Sequence, residues 1–552
     1  MIKSAEAYLQ SVISDALQRL GWPAIDIAIE RPKQEGFGDY ATPTAMTLAR
    51  QLRKAPRAIA EELVQNLQVE KALIADLSID GPGFINFRLG AGYWQGQLAA
   101  MLDDPENFWK SSWGSSRKLQ VEFVSANPTG PLNVVSARAA SVGDVLVSLF
   151  RAVGFTAERE FYINDAGRQI RLLGESVSSR YMAGYGKEEP FPEEGYRGDY
   201  INDLAEAIRH EHGERFAGIS REERVAQLAD LALERMVKLQ RDTLERFGVH
   251  FDVWFSERSL REGNRQQEVL DLLAEKGLSF RHEGALWFRS TQFGDVKDRV
   301  LITGAGEPTY FLVDIAYHLD KYRRGFVKLH DLWGPDHHGY IPRMKAALVA
   351  LGFPPESFDV RIIQQVNLLR DGEVVKMSKR AGNIIEMAEV IDEVGVDAAR
   401  FFFLMRKLDS PLDFDLSLAK RQTDENPVYY VQYAHARICS ILAFARSQAG
   451  GPPTIRGRQV LSLLVAPEEI ALIKKLAEYP EVISKAAQFL EPNRLTTYLQ
   501  DLAATFHKFY HEHRVVSDDQ PLTAARLTLV EATRMVLGYA LRLLNISAPE
   551  KM

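Results

Sequence analysis

The chain has 552 residues, a net charge of −7, 46% hydrophobic and 26% charged residues, and one cysteine, Cys439. That length exceeds one ordinary domain, and the balance is that of a globular protein with a sizeable core. A lone cysteine excludes an internal disulfide or cysteine-rich metal site, no apolar run is long enough to span a bilayer, and residues 1–6 lack a secretory core, so a cytoplasmic protein with no membrane partner is expected.

Residues 1–100 read as a first, α+β unit. Helical spacing covers 5–20, 45–52 and 56–67, with Pro56 suited to a first helical turn. A glycine-containing loop, Gly36-Phe37-Gly38-Asp39-Tyr40, precedes the second helix, and residues 81–88 alternate like a strand after a turn. Residues 103–118, with Trp109 and Trp113 among Ser and Gly, read as a linker. A strand from Leu119 then runs into Ser125-Ala126-Asn127-Pro128-Thr129-Gly130-Pro131, and a helix is predicted over 136–153. Strand, turn-rich loop and helix open a doubly wound, Rossmann-like α/β domain with a parallel sheet. Ligands of such domains lie beyond the carboxyl ends of the strands. Further strands are predicted at 156–162, 326–333 and 358–366. Residues 175–283 are mostly helical and charged, which reads as an insertion, with 285–288 and 299–302 as short strands returning to the core. From 394 the pattern is helical, with periodic stretches at 428–445, 495–513 and 522–544, as in an all-α helical bundle. The expected domains are therefore 1–100, 117–393 and 394–552.

The most informative run is Lys376-Met377-Ser378-Lys379-Arg380-Ala381-Gly382-Asn383. Two lysines three apart, among small residues, suit a loop that wraps a polyphosphate and neutralises charge as pyrophosphate leaves. An exposed basic turn is the plainer alternative. The pattern resembles the lysine signature loop of class I aminoacyl-tRNA synthetases, with Arg380 in place of its final serine. Other segments extend the likeness: Val121-Glu122-Phe123-Val124-Ser125-Ala126-Asn127-Pro128-Thr129-Gly130-Pro131, Tyr162-Ile163-Asn164-Asp165-Ala166-Gly167-Arg168-Gln169, Tyr310-Phe311-Leu312-Val313-Asp314, and Asn426-Pro427-Val428-Tyr429-Tyr430-Val431-Gln432-Tyr433-Ala434. Over essentially its whole length the chain resembles arginyl-tRNA synthetases.

The resemblance implies a two-step reaction. The L-arginine carboxylate attacks the α-phosphate of ATP, and a terminal ribose hydroxyl of the tRNA then takes the arginyl group. Magnesium is expected with the ATP phosphates. By resemblance Glu122, Ser125, Asn127, Tyr310 and Asp314 hold arginine. Independently, a guanidinium wants planar carboxylate partners, and Tyr310 and Asp314 share a face if their stretch is helical. Asn127, Pro128, Thr129, Gly130, Asn133, Val134, Val135, Ser136, Lys376, Met377, Ser378 and Lys379 fall on the ATP side, with Asn133, Ser136, Lys376 and Lys379 as the catalytic set. Gly38, Asp39 and Tyr40 fall in the family's RNA-touching N-terminal unit. Tyr429, Tyr433 and Arg437 offer an aromatic–basic mix for unpaired anticodon bases, though some of the tyrosines belong to the core at this spacing. A monomer with no resident metal is expected.

One segment departs from the family. Its members usually carry His-x-Gly-His where this chain has Asn133-Val134-Val135-Ser136. Asn133 and Ser136 can donate hydrogen bonds but cannot carry positive charge, and losing one transition-state donor costs about 10²–10³ in rate. The rivals are a catalytically silent relative that binds tRNA or a partner protein, and an enzyme activating lysine or citrulline. Glu122 and Asp314 disfavour uncharged citrulline. His337 and His338 either line the site or are structural, and His507, His511 and His513 lack a clear set of partner ligands for a metal. No glycine-rich dinucleotide loop or Gly-Lys-Ser/Thr phosphate loop is present. Lys379→Ala is expected to lower adenylate formation strongly while leaving tRNA affinity nearly unchanged. Exchange kinetics beside a filter-binding titration measure both, and undiminished adenylate formation would remove Lys379 from the machinery.

Overall fold

Five parallel strands form the centre of the computed structural model, which describes residues 5–32, 35–375, 385–448 and 458–552. Across the sheet they run Phe358–Ile362, Lys328–Trp333, Lys118–Glu122, Thr156–Ile163 and Val253–Ser256, each parallel to its neighbour. The winding reverses between this sheet's first strand in chain order, Lys118–Glu122, and its fourth, Lys328–Trp333. A crevice must open where their carboxyl ends diverge. Residues 119–122 are all buried, as a parallel strand covered on both faces requires.

The helix Val134–Ala152 follows the first strand and is buried on almost every side, so its charges must be paired. Arg138 donates to the carbonyls of Gln364, Lys407 and Ser410 at 2.8, 2.8 and 2.9 Å. Asp144 accepts from Arg159 at 2.8 Å and from Arg400.

The helices Arg168–Ala183, Asp199–His212 and Arg221–Arg246 form an added layer with its own apolar centre around Tyr181, Ile201, Phe216 and Leu228. The stretch 175–283 also contains a strand of the central sheet, Val253–Ser256, which its charged, helical pattern conceals. Four half-buried residues are too few to show a period. The single strand predicted at 358–366 is two. Phe358–Ile362 stays in the parallel sheet, and Val366–Arg370 pairs with Leu412–Asp415 and Glu373–Val374 in another. Nor is 103–118 a free linker: Trp109 is buried, its ring stacked on Tyr539 at 5.1 Å and set edge-on to Tyr479 at 5.9 Å.

The helices Ala5–Arg19, Thr44–Leu52 and Pro56–Asn66 accompany an antiparallel sheet of Tyr40–Thr42, Phe84–Leu89 and Ile74–Asp80. Elsewhere the helices Pro427–Ser447, Pro467–Ala477, Tyr479–Phe489, Asn493–Glu512 and Gln520–Leu543 form the C-terminal bundle. One apolar core runs from Leu9 through Val121 and Leu146 to Leu499 and Leu537. Among the described residues no helix is long and apolar enough to cross a membrane.

Arg400 ties three of these parts together. Fully buried, it donates to the carbonyls of Leu544 at 3.0 Å and Phe247 at 3.2 Å and to the Asp144 carboxylate. Arg400→Met is expected to cost about 3 kcal/mol, because Asp144 and two carbonyls lose a buried donor. A fall in the denaturation midpoint measures this. A loss under about 1 kcal/mol, the value of a surface pair, would show that the parts hold together without it.

Candidate active site

Glu122 ends the first strand, with Asp331 beside it on the fourth and Glu160 beside it on the second. Three buried carboxyls therefore sit in one row across three strands. Their repulsion is answered from the helix Tyr310–Arg323 and its end. Lys321, fully buried, donates to Glu122 Oε2 at 2.6 Å and to Asp331 Oδ1 at 3.1 Å. Arg324 clasps Glu160 through two bonds of 2.5 and 2.9 Å. His318 links Asp331 Oδ2, at 2.9 Å, to the Asp314 carbonyl, at 2.8 Å. Burial alone would strip the charge from Lys321, but Asp331 and Glu122 more than restore it, so its pKa rises. Burial also acts on Asp331, but Lys321 and His318 outweigh it and hold that carboxyl at about 2. Glu122 stays above the usual range, because burial exceeds the pull of Lys321 and Asp331 adds a like charge.

Asp314 and Tyr310 lie one turn apart on the same helix. Asp314 accepts from the Tyr340 hydroxyl. Burial pushes its carboxyl up to about 6, against the pull of that hydroxyl. Among the described residues it has no lysine or arginine partner. Tyr310 is 68% exposed at the mouth, with its hydroxyl 3.8 Å from where a side chain on Gly167 would begin. Ser125 does not stand free for a ligand: its hydroxyl donates to Glu122 Oε1 at 2.9 Å and accepts from the Tyr162 N–H at 3.1 Å. The row keeps more carboxyl than cationic groups, and a planar cation with several donors answers that surplus.

Beside it, between the ends of the first and fourth strands, lies a cavity of about 710 Å³ walled by Val124, Ala126, Asn133, Val134, Val135, Ser136, Trp333 and Gly334. Asn133 caps the helix Val134–Ala152, its Oδ1 accepting from the N–H groups of Val135 at 2.9 Å and Ser136 at 3.1 Å. Only its amide NH₂ is left to donate to a ligand. The Ser136 hydroxyl lies 3.4 Å from that same oxygen. Pro128 and Thr129 are buried. Asn127 is exposed and Gly130 half-buried. Lys376, Met377, Ser378 and Lys379 lie outside the described residues. Beyond them the chain is hydrogen-bonded to the approach of that helix, with the Met387 N–H donating to the Leu132 carbonyl at 2.8 Å.

The expected RNA residues divide. Tyr40 is buried, with the Arg31 guanidinium over its ring at 5.5 Å. Asp39 accepts from the Leu89 N–H at 2.8 Å and from Lys474 of the C-terminal bundle. Gly38 has φ +84°, and a Cβ there would lie 2.7 Å from the Phe87 carbonyl. Tyr40 is thus a core residue, while Gly38 and Asp39 are half-buried at the junction. By contrast Tyr433 and Arg437 line a groove of about 940 Å³ with Tyr510, His511 and Arg514. The Arg437 guanidinium lies 5.0 Å from the ring centre of Tyr433 and 5.5 Å from that of Tyr510. Tyr429 stacks on Tyr433 at 6.2 Å. His337 and His338 are exposed beyond the fourth strand.

Three family models match in chain order: an arginyl-tRNA synthetase N-terminal domain over residues 7–89, the class I (R) catalytic domain of tRNA synthetases over 97–407, and a DALR anticodon-binding domain over 431–552. The chain belongs to the arginyl-tRNA synthetase family, class I ligases of arginine and tRNA. The arginine–tRNA ligase of Desulforudis audaxviator is 48% identical over 95% of this chain and 93% of its own. That of Geobacillus kaustophilus is 49% identical over 96% and 94%. A crystal structure described as a putative arginyl-tRNA synthetase of Campylobacter jejuni, 38% identical, covers 84% of this chain and all of its own with a TM-score of 0.75.

Lys321, His318 and Asp331 escape a reading of the sequence for catalytic motifs. A signal for two of them exists, since Tyr310, Asp314, His318 and Lys321 recur at three- and four-residue steps, which is one helix face. Below about pH 6 Asp314 is protonated and its attraction for a guanidinium is lost; above it the carboxylate is formed. The KM for arginine should therefore rise as pH falls from 7 to 5, with proton release on binding inside that window. Asp314→Asn should raise it about ten- to a hundredfold at neutral pH, flatten this dependence, and leave the KM for ATP nearly unchanged. Steady-state kinetics across pH measure all three, and a larger change in the ATP requirement would take Asp314 out of the pocket.

Proposed function

We propose that this chain activates L-arginine with ATP and transfers it to the 3′ end of its tRNA, with Glu122, Tyr310 and Asp314 taking the arginine and the adjoining cavity taking ATP. The single observation that carries the reading is the row of carboxyls around Lys321, with Asp314 beside it, opening next to a cavity at the sheet's reversal point. Held there, the arginine carboxylate faces the α-phosphate, and positioning converts a bimolecular step into an internal one. Asn133 and Ser136 stand where they can donate to phosphate oxygens, and Lys376 and Lys379 take the charge that builds on leaving pyrophosphate.

Magnesium would arrive on the ATP phosphates. The chemistry it supplies there is charge neutralisation. In the second step the tRNA ribose hydroxyl attacks the arginyl carbonyl, with the groove at Tyr433 and Arg437 receiving anticodon bases. In the proposed division residues 1–100 form the N-terminal unit, 117–393 the catalytic domain and 394–552 the anticodon-binding domain, acting as a cytoplasmic monomer.

A second reading, a silent relative, is favoured by one observation: Asn133 and Ser136 replace histidines, and the Asn133 oxygen is committed to the helix cap. Charging of total tRNA with labelled arginine, with ATP, magnesium and a lysine control, separates the two. Arginine-specific charging is expected. No charging with tRNA binding intact would favour the silent relative.

A further inference from the structure

The turn that leads out of the first strand is strained. Val124 has φ +67° and Ser125 φ +38°, and the Ser125 N–H reaches back to the Phe123 carbonyl at 2.9 Å. A β-branched residue at the centre of such a turn is rare and persists only where its surroundings over-determine it. Ser125, bonded to Glu122 and Tyr162, fixes one end. The other end is fixed from outside the catalytic sheet. Gln240, on the inserted helix Arg221–Arg246 and 1% exposed, spends both N–H bonds of its amide on the loop: one to the Asn127 carbonyl at 3.1 Å, one to the Gly130 carbonyl at 2.8 Å. Its own oxygen is buried with no hydrogen-bond partner, a cost that only the two donated bonds justify. Tyr200, on the helix Asp199–His212, donates to the Thr129 carbonyl between them at 2.8 Å. A Cβ at Gly130 would meet that tyrosine's hydroxyl at 3.2 Å.

We propose that Gln240 and Tyr200 are positioning residues: two inserted helices grip three carbonyls of the loop 127–130 and so set the placement of the wall, 133–136, that takes the ATP phosphates. Neither residue touches a reactant. The proposal rests on the reading that the cavity beside residues 133–136 takes ATP. It makes the insertion a working part of the site, and displacements of its helices should be felt as changes in ATP use.

The test is arginine-dependent, tRNA-supported ATP–pyrophosphate exchange by the full chain and by Gln240→Leu, which bares two carbonyls without adding bulk. The KM for ATP should rise about tenfold and kcat fall about tenfold, with the KM for arginine within about twofold of the parent. Gln240→Glu sets a carboxylate against two carbonyl oxygens. Its activity should fall as pH rises through that group's titration, a profile that a loss of packing would not produce. Tyr200→Phe removes one donor without changing shape, and should move the same constants the same way by about threefold, which decides the matter if the Gln240 variants do not fold. Parental ATP kinetics in folded variants, even with lowered melting temperatures, would overturn the proposal. A rise confined to the arginine KM would also overturn it, by moving the loop to the other substrate. A parent inactive in exchange would instead remove the reading beneath it.

Discussion

A buried ammonium between two carboxyls is the constraint on which this site depends. Lys321 lies under the carboxyl ends of the first and fourth strands, bonded to Glu122 and Asp331. Without it the row formed by Glu160, Glu122 and Asp331 would place like charges side by side in low dielectric, and protonation or rearrangement would result. With it the row is incompletely neutralised: the one ammonium of Lys321 is shared between Glu122 and Asp331, and Arg324 serves Glu160, so three carboxyls face two permanent cations. In the proposed function, a cationic ligand would complete a network already built.

The same network explains how separate parts of the chain meet at one place. The helix Tyr310–Arg323 carries Tyr310 and Asp314 in its first turns and Lys321 near its end, so one element bears both the residues proposed to take the ligand and the ammonium that neutralises the carboxyl row. The strand row supplies the carboxyls, the strained turn at Val124 aims Ser125 at Glu122, and the inserted helices hold the carbonyls of residues 127–130. The C-terminal bundle is joined to this assembly through Arg400 and Asp144, and the N-terminal sheet through Asp39 and Lys474. The Asn133-Val134-Val135-Ser136 stretch then makes physical sense. An asparagine there closes the helix start with its own oxygen, and the wall is built from backbone and small side chains.

The sequence made the architecture legible where periodicity was long and the function legible where motifs were contiguous. The helices read at 136–153 and 428–445 are found at Val134–Ala152 and Pro427–Ser447, the strand read at 81–88 at Phe84–Leu89, and the helix on which Tyr310 and Asp314 would share a face is there. The parts that could not be read were set by contacts distant in sequence. Lys321 lies 199 residues from Glu122, and Gln240 lies 113 from Asn127. A lysine or glutamine on a charged helix looks like solvent-facing surface until the partner is known. Tyr40 failed in the opposite direction. Its motif suggested a surface, but a three-residue strand placed its ring in the core. Trp109 shows the same limit, as an anchor hidden in a stretch whose Ser and Gly content suggested a tether.

An incompletely neutralised carboxyl row should select a cationic side chain, and the most direct measurement of that selection is calorimetric. The full chain, with tRNA present, is titrated by arginine and by citrulline, which keeps the shape and replaces the charged terminus with a neutral carbonyl. Arginine should bind at least about a hundredfold more tightly, because citrulline presents an acceptor to carboxylates and leaves their charge unanswered. Equal affinities would contradict the account, because shape alone would then be filling the pocket.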